Sequence, residues 1–176
     1  MNHIGTKTIK TERLILRRFT LEDANDVYEG YINQNNFLYY TNRDKVTLQQ
    51  EIDFLKQVNE KYNNLEYYNW AITLDNKVIG AIFLDVNNKN DSVIFSYAID
   101  ERYQGKGYMT EALEAVKLYC LNEIKVNRVS GGCAVDNIAS KKVMEKCNFE
   151  YEGTLRSYIK LSDGYHDMLV YSIINN

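Results

Sequence analysis

Two glycines, Gly105 and Gly107, lie between a stretch typical of a buried strand and one typical of a helix. Residues 92–99 are rich in β-branched and aromatic side chains, and apolar residues recur at helical spacing after Gly107. The first turn of a helix has backbone N–H groups without intrahelical partners, and glycines let a large anion approach them closely. Arg102 and Lys106 add positive charge. The stretch therefore predicts a binding site for a phosphate or pyrophosphate group.

Two common phosphate-binding motifs do not fit this stretch. A P-loop has Gly-Lys followed by Ser or Thr, whereas residues 105–108 are Gly-Lys-Gly-Tyr. The dinucleotide fingerprint needs a third glycine where Thr110 stands, together with parallel strands before it. The alternative to an anion site is a strand-to-helix turn whose glycines serve only the backbone geometry.

The composition is that of an ordinary globular protein with a slight negative charge. The chain has 176 residues, of which 45% are hydrophobic and 26% charged, and its formal net charge is −3. This length is enough for one domain with a buried core. Binding to nucleic acid needs clustered Lys and Arg, so the charge balance argues against a general nucleic-acid binder.

Several features indicate the compartment and the absence of a metal site. No apolar run approaches the roughly 20 residues that span a bilayer, and the first seven residues lack the apolar core of a signal peptide. The cysteines Cys120, Cys133 and Cys147 are odd in number and not closely spaced, which is typical of a reducing compartment. His3 and His166 are far apart and predict no metal site. We therefore expect a cytoplasmic protein without membrane contact.

The order of the predicted elements indicates one mixed α/β domain over residues 1–176. Short turns join three consecutive strands, which implies an antiparallel arrangement, whereas the next strand is reached through a helix and is expected to be parallel. No internal repeat or linker marks a second domain. The predicted elements are strand 12–19, helices 20–32 and 47–62, strands 67–74, 78–86 and 92–99, helix 108–124, strand 128–135, helix 138–146, and strands 150–160 and 165–174.

The pattern Arg-x-x-Gly-x-Gly over residues 102–107 resembles the acetyl-coenzyme A signature of the GNAT N-acetyltransferases. Residues 11–17, Thr-Glu-Arg-Leu-Ile-Leu-Arg, resemble the opening strand of the RimJ/RimL-type branch, which contains ribosomal-protein N-terminal acetyltransferases; residues 137–149 and 152–156 also resemble this branch. The resemblance covers nearly the whole chain. It implies a GNAT fold with a mixed, mostly antiparallel sheet of about seven strands, splayed between the fourth and fifth and flanked by about four helices.

The resemblance implies acetyl-coenzyme A (acetyl-CoA) as cosubstrate and no metal. In this family the backbone of the glycine loop holds the pyrophosphate, and the pantetheine arm inserts at the splay. The matching residues are Gln104, Gly105, Lys106, Gly107, Tyr108, Met109 and Thr110 for the pyrophosphate, Ala98, Ile99, Asp100 and Asn137 for the pantetheine arm, and Lys142 for the phosphates. The alternative for Asn137 is a plain helix cap, and the alternative for Lys142 is a lysine that only contacts solvent.

The resemblance also implies one catalytic side chain. Ser140 matches the position that faces the CoA sulfur, where a hydroxyl could stabilise or protonate the departing thiolate; an ordinary first-turn helix serine is the alternative. A backbone N–H at Ile99 or its neighbour could stabilise the carbonyl oxygen. The general base stays open, because some relatives have a carboxylate where this chain has Ile159. Asp85, Glu66 and a chain of water molecules are alternatives.

The implied reaction is direct attack of a primary amine on the acetyl thioester. The branch favours a protein N-terminal α-amine as acceptor; a small-molecule amine such as a polyamine, amino acid or antibiotic is the second candidate. A non-catalytic acyl-CoA-binding module is the third. Tyr39 and Tyr40 lie where the family lines its acceptor groove. Relatives are often monomers or dimers, so a monomer or homodimer is expected.

Overall fold

The computed structural model describes residues 1–32, 47–161 and 163–175. These residues form one eight-stranded sheet, built of β1 (Ile9–Lys10), β2 (Ile15–Arg17), β3 (Tyr68–Leu74), β4 (Lys77–Asn87), β5 (Ser92–Ile99), β6 (Arg128–Ala134), β7 (Glu150–Leu161) and β8 (Gly164–Ile174). Their order across the sheet is β1-β2-β3-β4-β5-β6-β8-β7. The one strand beyond the seven predicted is β1, whose two residues are too few to show the alternating pattern of a strand.

The predicted set of four helices is confirmed. They are α1 (Ala24–Val27), α2 (Leu48–Lys61), α3 (Tyr108–Tyr119) and α4 (Ile138–Lys146). The capping box predicted at Thr47 is present: Thr47 N donates to Gln50 Oε1 (2.7 Å), and Gln50 N donates to Thr47 Oγ1 (3.2 Å). The predicted end of the third helix is a π turn (Cys120–Ile124) that continues α3.

The first helix is less regular than its sequence predicts. Instead of a continuous helix over 20–32, a 3₁₀ turn (Leu21–Asp23) precedes α1 and a π turn (Tyr28–Ile32) follows it. A Cβ atom on Gly30 would lie 2.8 Å from Oδ2 of Asp100, so this segment approaches the end of β5 closely. The departure from regular helix geometry thus coincides with a close tertiary approach, which a local sequence pattern does not encode.

The first predicted strand, residues 12–19, is also shorter in the structure, where β2 covers Ile15–Arg17. The residues before it form a turn, in which Thr11 N donates to the carbonyl oxygen of Leu14 (3.0 Å). Glu111 on α3 accepts hydrogen bonds from Thr11 and Arg13. These contacts hold residues 11–13 on α3 instead of in the sheet.

The sheet opens between β5 and β6, as predicted for the fourth and fifth strands of the seven. The two strands are parallel, and their register runs from Ser92↔Arg128 to Ile94↔Ser130. Beyond that point β5 continues to Ile99 in register with β4, and β6 continues to Ala134 in register with β8. We call the gap between residues 95–99 of β5 and 131–134 of β6 the wedge.

The two faces of the sheet carry separate hydrophobic cores. Helices α3 and α4 cover one face, and the segment around α1 together with α2 covers the other. Alternation along β3 illustrates this, because Trp70 and Ile72 pack toward α3 while Ala71 packs toward α2. The core under α3 and α4 includes Phe95 of β5 and Cys133 of β6, so this side of the wedge is covered. No helix in the described ranges is long and apolar enough to cross a membrane.

Candidate active site

The glycine loop connects the end of β5 to α3. After a short 3₁₀ turn (Glu101–Tyr103), Gly105 has a φ of +72° and Gly107, the N-cap of α3, has a φ of +82°. Side chains rarely adopt this left-handed region, so glycine is favoured at both positions. Among the described residues, no atom outside Gly105 and its two chain neighbours lies within 4 Å of a Cβ placed on Gly105. The loop therefore presents backbone and open space at the N-terminus of a three-turn helix, as an anion site requires.

Arg13 fastens this loop to the body of the protein. Its Nη1 donates to the carbonyl oxygen of Lys106 (3.0 Å), its Nε donates to Oε2 of Glu111 (2.6 Å), and its guanidinium lies 4.5 Å from the ring centre of Tyr108. Burial opposes the charge of Glu111, but hydrogen bonds from Thr11 and Arg13 outweigh it and lower the pKa of this carboxyl. Arg13 belongs to the motif at residues 11–17, but its partners lie more than 90 residues away in sequence, so the motif alone does not indicate this role.

The charge that Arg102 adds near the loop is compensated. Asp100 is fully buried at the end of β5, and its Oδ2 accepts a hydrogen bond from Nε of Arg102 (3.0 Å). The hydrogen bond to Asp100 raises the pKa of Arg102 further. Lys106 folds back over the loop, with Nζ donating to the carbonyl oxygen of Arg102 (2.9 Å). The positive character of the loop thus comes mainly from Lys106 and from the helix N-terminus.

The backbone of β5 distinguishes the three residues predicted for the pantetheine site, whose contact with a pantetheine arm stays a prediction. Asp100 N donates to the carbonyl oxygen of Ile79 (2.8 Å), and the Asp100 carbonyl accepts from Tyr103 N (2.9 Å). Alternate residues of an antiparallel ladder point their polar groups the same way, so Ala98, paired with Ala81, also faces β4. Of residues 98–100, Ile99 is therefore the one whose backbone faces the wedge.

On the other side of the wedge, Asn137 and Ser140 begin α4. Asn137 is the N-cap, and its Oδ1 accepts a hydrogen bond from Ser140 N (3.0 Å). The cap interpretation of Asn137 is thus confirmed, while its role toward a pantetheine arm stays a prediction. The cap holds Ser140 in the first turn of α4, half-buried beside the end of β6.

A hydrogen bond across the wedge joins Ser140 to Tyr97. The Tyr97 hydroxyl lies 2.7 Å from Ser140 Oγ and 3.2 Å from the Ser140 carbonyl oxygen. The Tyr97 ring stacks on Phe95, with centroids 5.8 Å apart and planes 6° from parallel. A Cβ atom on Gly131 would lie 2.3 Å from Cζ of Phe95, so a glycine in β6 makes room for this stack. Burial raises the pKa of Tyr97, although the contact with Ser140 opposes the shift.

Residues 13–150, which make up most of the chain, match the sequence pattern of the acetyltransferase (GNAT) domain family. The chain belongs to the GNAT family of acetyltransferases. The match includes the glycine loop, both strands of the wedge and the start of α4.

Individual relatives agree with this assignment. The chain is 29% identical over 136 residues to the probable N-acetyltransferase YjcK of Bacillus subtilis, covering 75% of each sequence. It is 28% identical to the ribosomal-protein-serine acetyltransferase of Escherichia coli, covering 96% of this chain and 97% of that one. The structure of Mycobacterium smegmatis RimJ in complex with CoA-disulfide superposes with a TM-score of 0.89 at 19% identity, over 99% of this chain and 90% of that chain. The fold predicted from the resemblance is confirmed.

The thiols near Ser140 in this GNAT protein are protonated groups. Cys133 is buried in β6, with Sγ 3.8 Å from the carbonyl oxygen of Asn137. Burial raises the pKa of Cys133, against a smaller opposing effect of Ser140, and burial raises the pKa of Cys147 to about 12. Neither thiol is a ready nucleophile at neutral pH.

The remaining predicted residues lie away from this cluster or outside the described residues. Lys142 is exposed on α4. Ile159 pairs with His166 in the β7–β8 ladder. A hydrogen bond with Asp163 raises the pKa of His166, which makes the neutral imidazole that a base requires less available there. Tyr39 and Tyr40 lie outside the described residues. Within the described ranges no group of three His, Cys, Asp or Glu side chains could hold a metal ion.

Proposed function

We propose that this GNAT protein transfers an acetyl group from acetyl-CoA to a primary amine, with a protein N-terminal α-amine as the acceptor. The observation that carries the proposal is the parting of β5 and β6, with the left-handed glycines in the loop after β5 and Ser140 in the first turn of the helix after β6. Acetyl-CoA needs an anion site for its pyrophosphate, followed by an extended slot for its pantetheine arm, which ends at the thioester.

The residues present fit acetyl-CoA. Gly105 and Gly107 leave the backbone accessible at the N-terminus of α3, which suits a pyrophosphate. The parting of β5 and β6 leaves room for an arm that lies like a strand beside Ile99 and is met by Asn137. Met109 is buried and fixes the first turn of α3 in the core, so the backbone of residues 104–110 has a rigid base. Lys142 is exposed and within the same helix as Ser140, which suits a phosphate contact.

Acetyl-CoA supplies an acetyl group activated as a thioester. The protein positions it, excludes water with the buried side chains of the wedge, and presents Ser140 to the sulfur as charge develops there. The attacking amine must be neutral, and its proton passes to solvent. Proximity of amine and thioester accounts for much of the rate, so no side chain is assigned as general base.

The acceptor assignment is supported by the relatives. The Escherichia coli protein that matches over nearly its full length is a ribosomal-protein-serine acetyltransferase. A ribosomal-protein acceptor would be met in the cytoplasm, and three cysteines that are all buried and free support that compartment.

Thiol release from acetyl-CoA tests the function. Peptides that begin with a free α-amine are compared with the same peptides blocked at the N-terminus, each carrying an internal lysine as a control for side-chain acetylation. We expect release with the free peptides alone. Release with polyamines or amino acids but not with peptides would transfer the assignment to a small-molecule acceptor. Binding of CoA without turnover on any amine would identify a binding module.

A further inference from the structure

We propose that Tyr97 is a positioning residue for the leaving group, which aims and polarises the Ser140 hydroxyl toward the thiolate of CoA. This rests on the proposed function, in which Ser140 faces the sulfur. The carrying observation is the contact across the wedge: the Tyr97 hydroxyl lies 2.7 Å from Ser140 Oγ and comes from the strand opposite Ser140.

The geometry restricts how the hydroxyl protons are arranged. The Tyr97 phenol can donate to Ser140 Oγ or to the Ser140 carbonyl oxygen, 3.2 Å away. When it donates to Oγ, the proton of Ser140 must point away from Tyr97, and the Ser140 N–H is already directed at Asn137 Oδ1. The Ser140 hydroxyl can then donate its proton to an anion beside Oγ, while Oγ accepts a hydrogen bond from Tyr97.

The groups that act on the Tyr97 phenol within the described ranges are neutral, whereas Lys141 and Glu145 also act on the neighbouring Cys133. The groups that influence the Tyr97 phenol are Ser140 and the thiols of Cys133 and Cys147, and burial keeps the phenol and both thiols protonated. A hydrogen bond to an ionised group is roughly twice as strong as one between neutral groups, and more so away from water. Tyr97 sits on Phe95, whose ring fixes its position.

The step is balanced without proton transfer from Tyr97. The bond between the amine nitrogen and the carbonyl carbon forms, the bond between carbon and sulfur breaks, and the electron pair stays on sulfur. The amine proton goes to solvent. The thiolate accepts a hydrogen bond from Ser140, while Tyr97 keeps its own proton and polarises that donor.

Titration of bound CoA tests the proposal and needs no acceptor. The ultraviolet absorbance of the thiolate reports the pKa of the CoA thiol in complex with the wild-type protein and with Tyr97→Phe, Ser140→Ala and the double variant. We expect the bound thiol of the wild type to have a lower pKa than free CoA. We expect Tyr97→Phe to raise the pKa of the bound thiol by about 1, which corresponds to a tenfold weaker stabilisation of the thiolate over the thiol. Ser140→Ala is expected to raise it by at least as much. In the Ser140→Ala background, Tyr97→Phe has no further effect.

Two controls separate positioning from structure. Tyr171→Phe also removes the hydroxyl of a tyrosine buried in the same core, with a 3.4 Å contact to Glu145, and we expect it to leave the thiol pKa unchanged. CoA lacking its sulfur binds all variants with equal affinity. A Tyr97→Phe protein with the thiol pKa of the wild type overturns the proposal, as does an equal additional shift in the Ser140→Ala background. Failure of wild-type protein to bind CoA instead overturns the function proposed above.

Discussion

The two ends of the wedge differ in the kind of group that they present. The loop end, residues 101–110, offers backbone groups at left-handed glycines, and charged side chains support it from behind: Arg13 on Lys106 and Glu111, and Arg102 on Asp100. The hydroxyl end consists of Tyr97, Cys133, Asn137 and Ser140, which are neutral and hydrogen-bonded to one another or to backbone.

The difference corresponds to the charge that each end would meet. A pyrophosphate is an anion throughout the reaction, and fixed backbone dipoles and nearby cations bind it equally in the ground and transition states. Charge on sulfur exists only as the bond breaks. Neutral donors in a buried setting stabilise that transient charge without attracting other anions beforehand. We therefore expect changes at the loop end to act on binding and changes at the hydroxyl end to act on turnover.

The largest effect is expected for Gly107→Trp. The substitution places a side chain on a residue with a φ of +82°, and its Cβ would lie 3.4 Å from Nη2 of Arg13. The indole ring would fill the space through which a pyrophosphate approaches the backbone. We expect binding of CoA to fall below detection in calorimetry. Gly164→Trp is the matched control, since Gly164 also has a positive φ of +138° and open space around it, but lies in the β7–β8 turn. Equal affinity in Gly107→Trp and wild type would remove the loop from the pyrophosphate site.

Ser140→Ala is expected to lower kcat by about 10- to 100-fold, the usual cost of losing a hydrogen bond to a charged group. The affinity for CoA changes little, because the thiol is neutral before the reaction. Steady-state kinetics with acetyl-CoA and calorimetry with CoA measure the two quantities. A loss of affinity as large as the loss of kcat would contradict the contrast between the two ends.

Arg13→Ala is expected to weaken CoA binding by about tenfold while kcat at saturating acetyl-CoA stays near that of the wild type. The change removes the hydrogen bond to the Lys106 carbonyl and leaves Glu111 with one partner fewer, so the loop loses its fixed position. Arg156→Ala removes an exposed arginine of β7 and serves as the control for net charge. Unchanged affinity would show that the loop keeps its shape without Arg13.

The smallest effect is expected for a carboxylate outside both ends. Hydrogen bonds from Arg128 and Ser172 lower the pKa of Glu152 to about 2, from 4.5. A lowered pKa contributes stability above about 4.5 that is lost as the pH falls toward 2. Glu152 is more than a third exposed, so we expect Glu152→Gln to cost less than about 1 kcal/mol of unfolding free energy at pH 7.

Urea denaturation of wild type and Glu152→Gln across the acid range measures this difference. The two curves converge as Glu152 becomes protonated in the wild type. CoA affinity and kcat at neutral pH are unchanged. An altered affinity would mean that the charge of β7 reaches the wedge.

Local patterns were sufficient for most of the fold. The limits of β5 and α4 agree with the sequence prediction, because alternation and capping act within a few residues. The irregular segment around α1 was not predictable in this way. Gly30 is ordinary in a helix pattern, and its close approach to Asp100 depends on a strand 70 residues later.

The sequence by itself determined the order of elements, the place of the glycine loop between a strand and a helix, and Ser140 at the start of a capped helix, since each depends on neighbours in the chain. Only the tertiary structure decided which side chains serve these parts. Tyr97 meets Ser140 across 43 residues, and Arg13 reaches the Lys106 carbonyl across 93. Such pairs leave no periodic signal, because the sheet register and the packing of α3 and α4 bring them together.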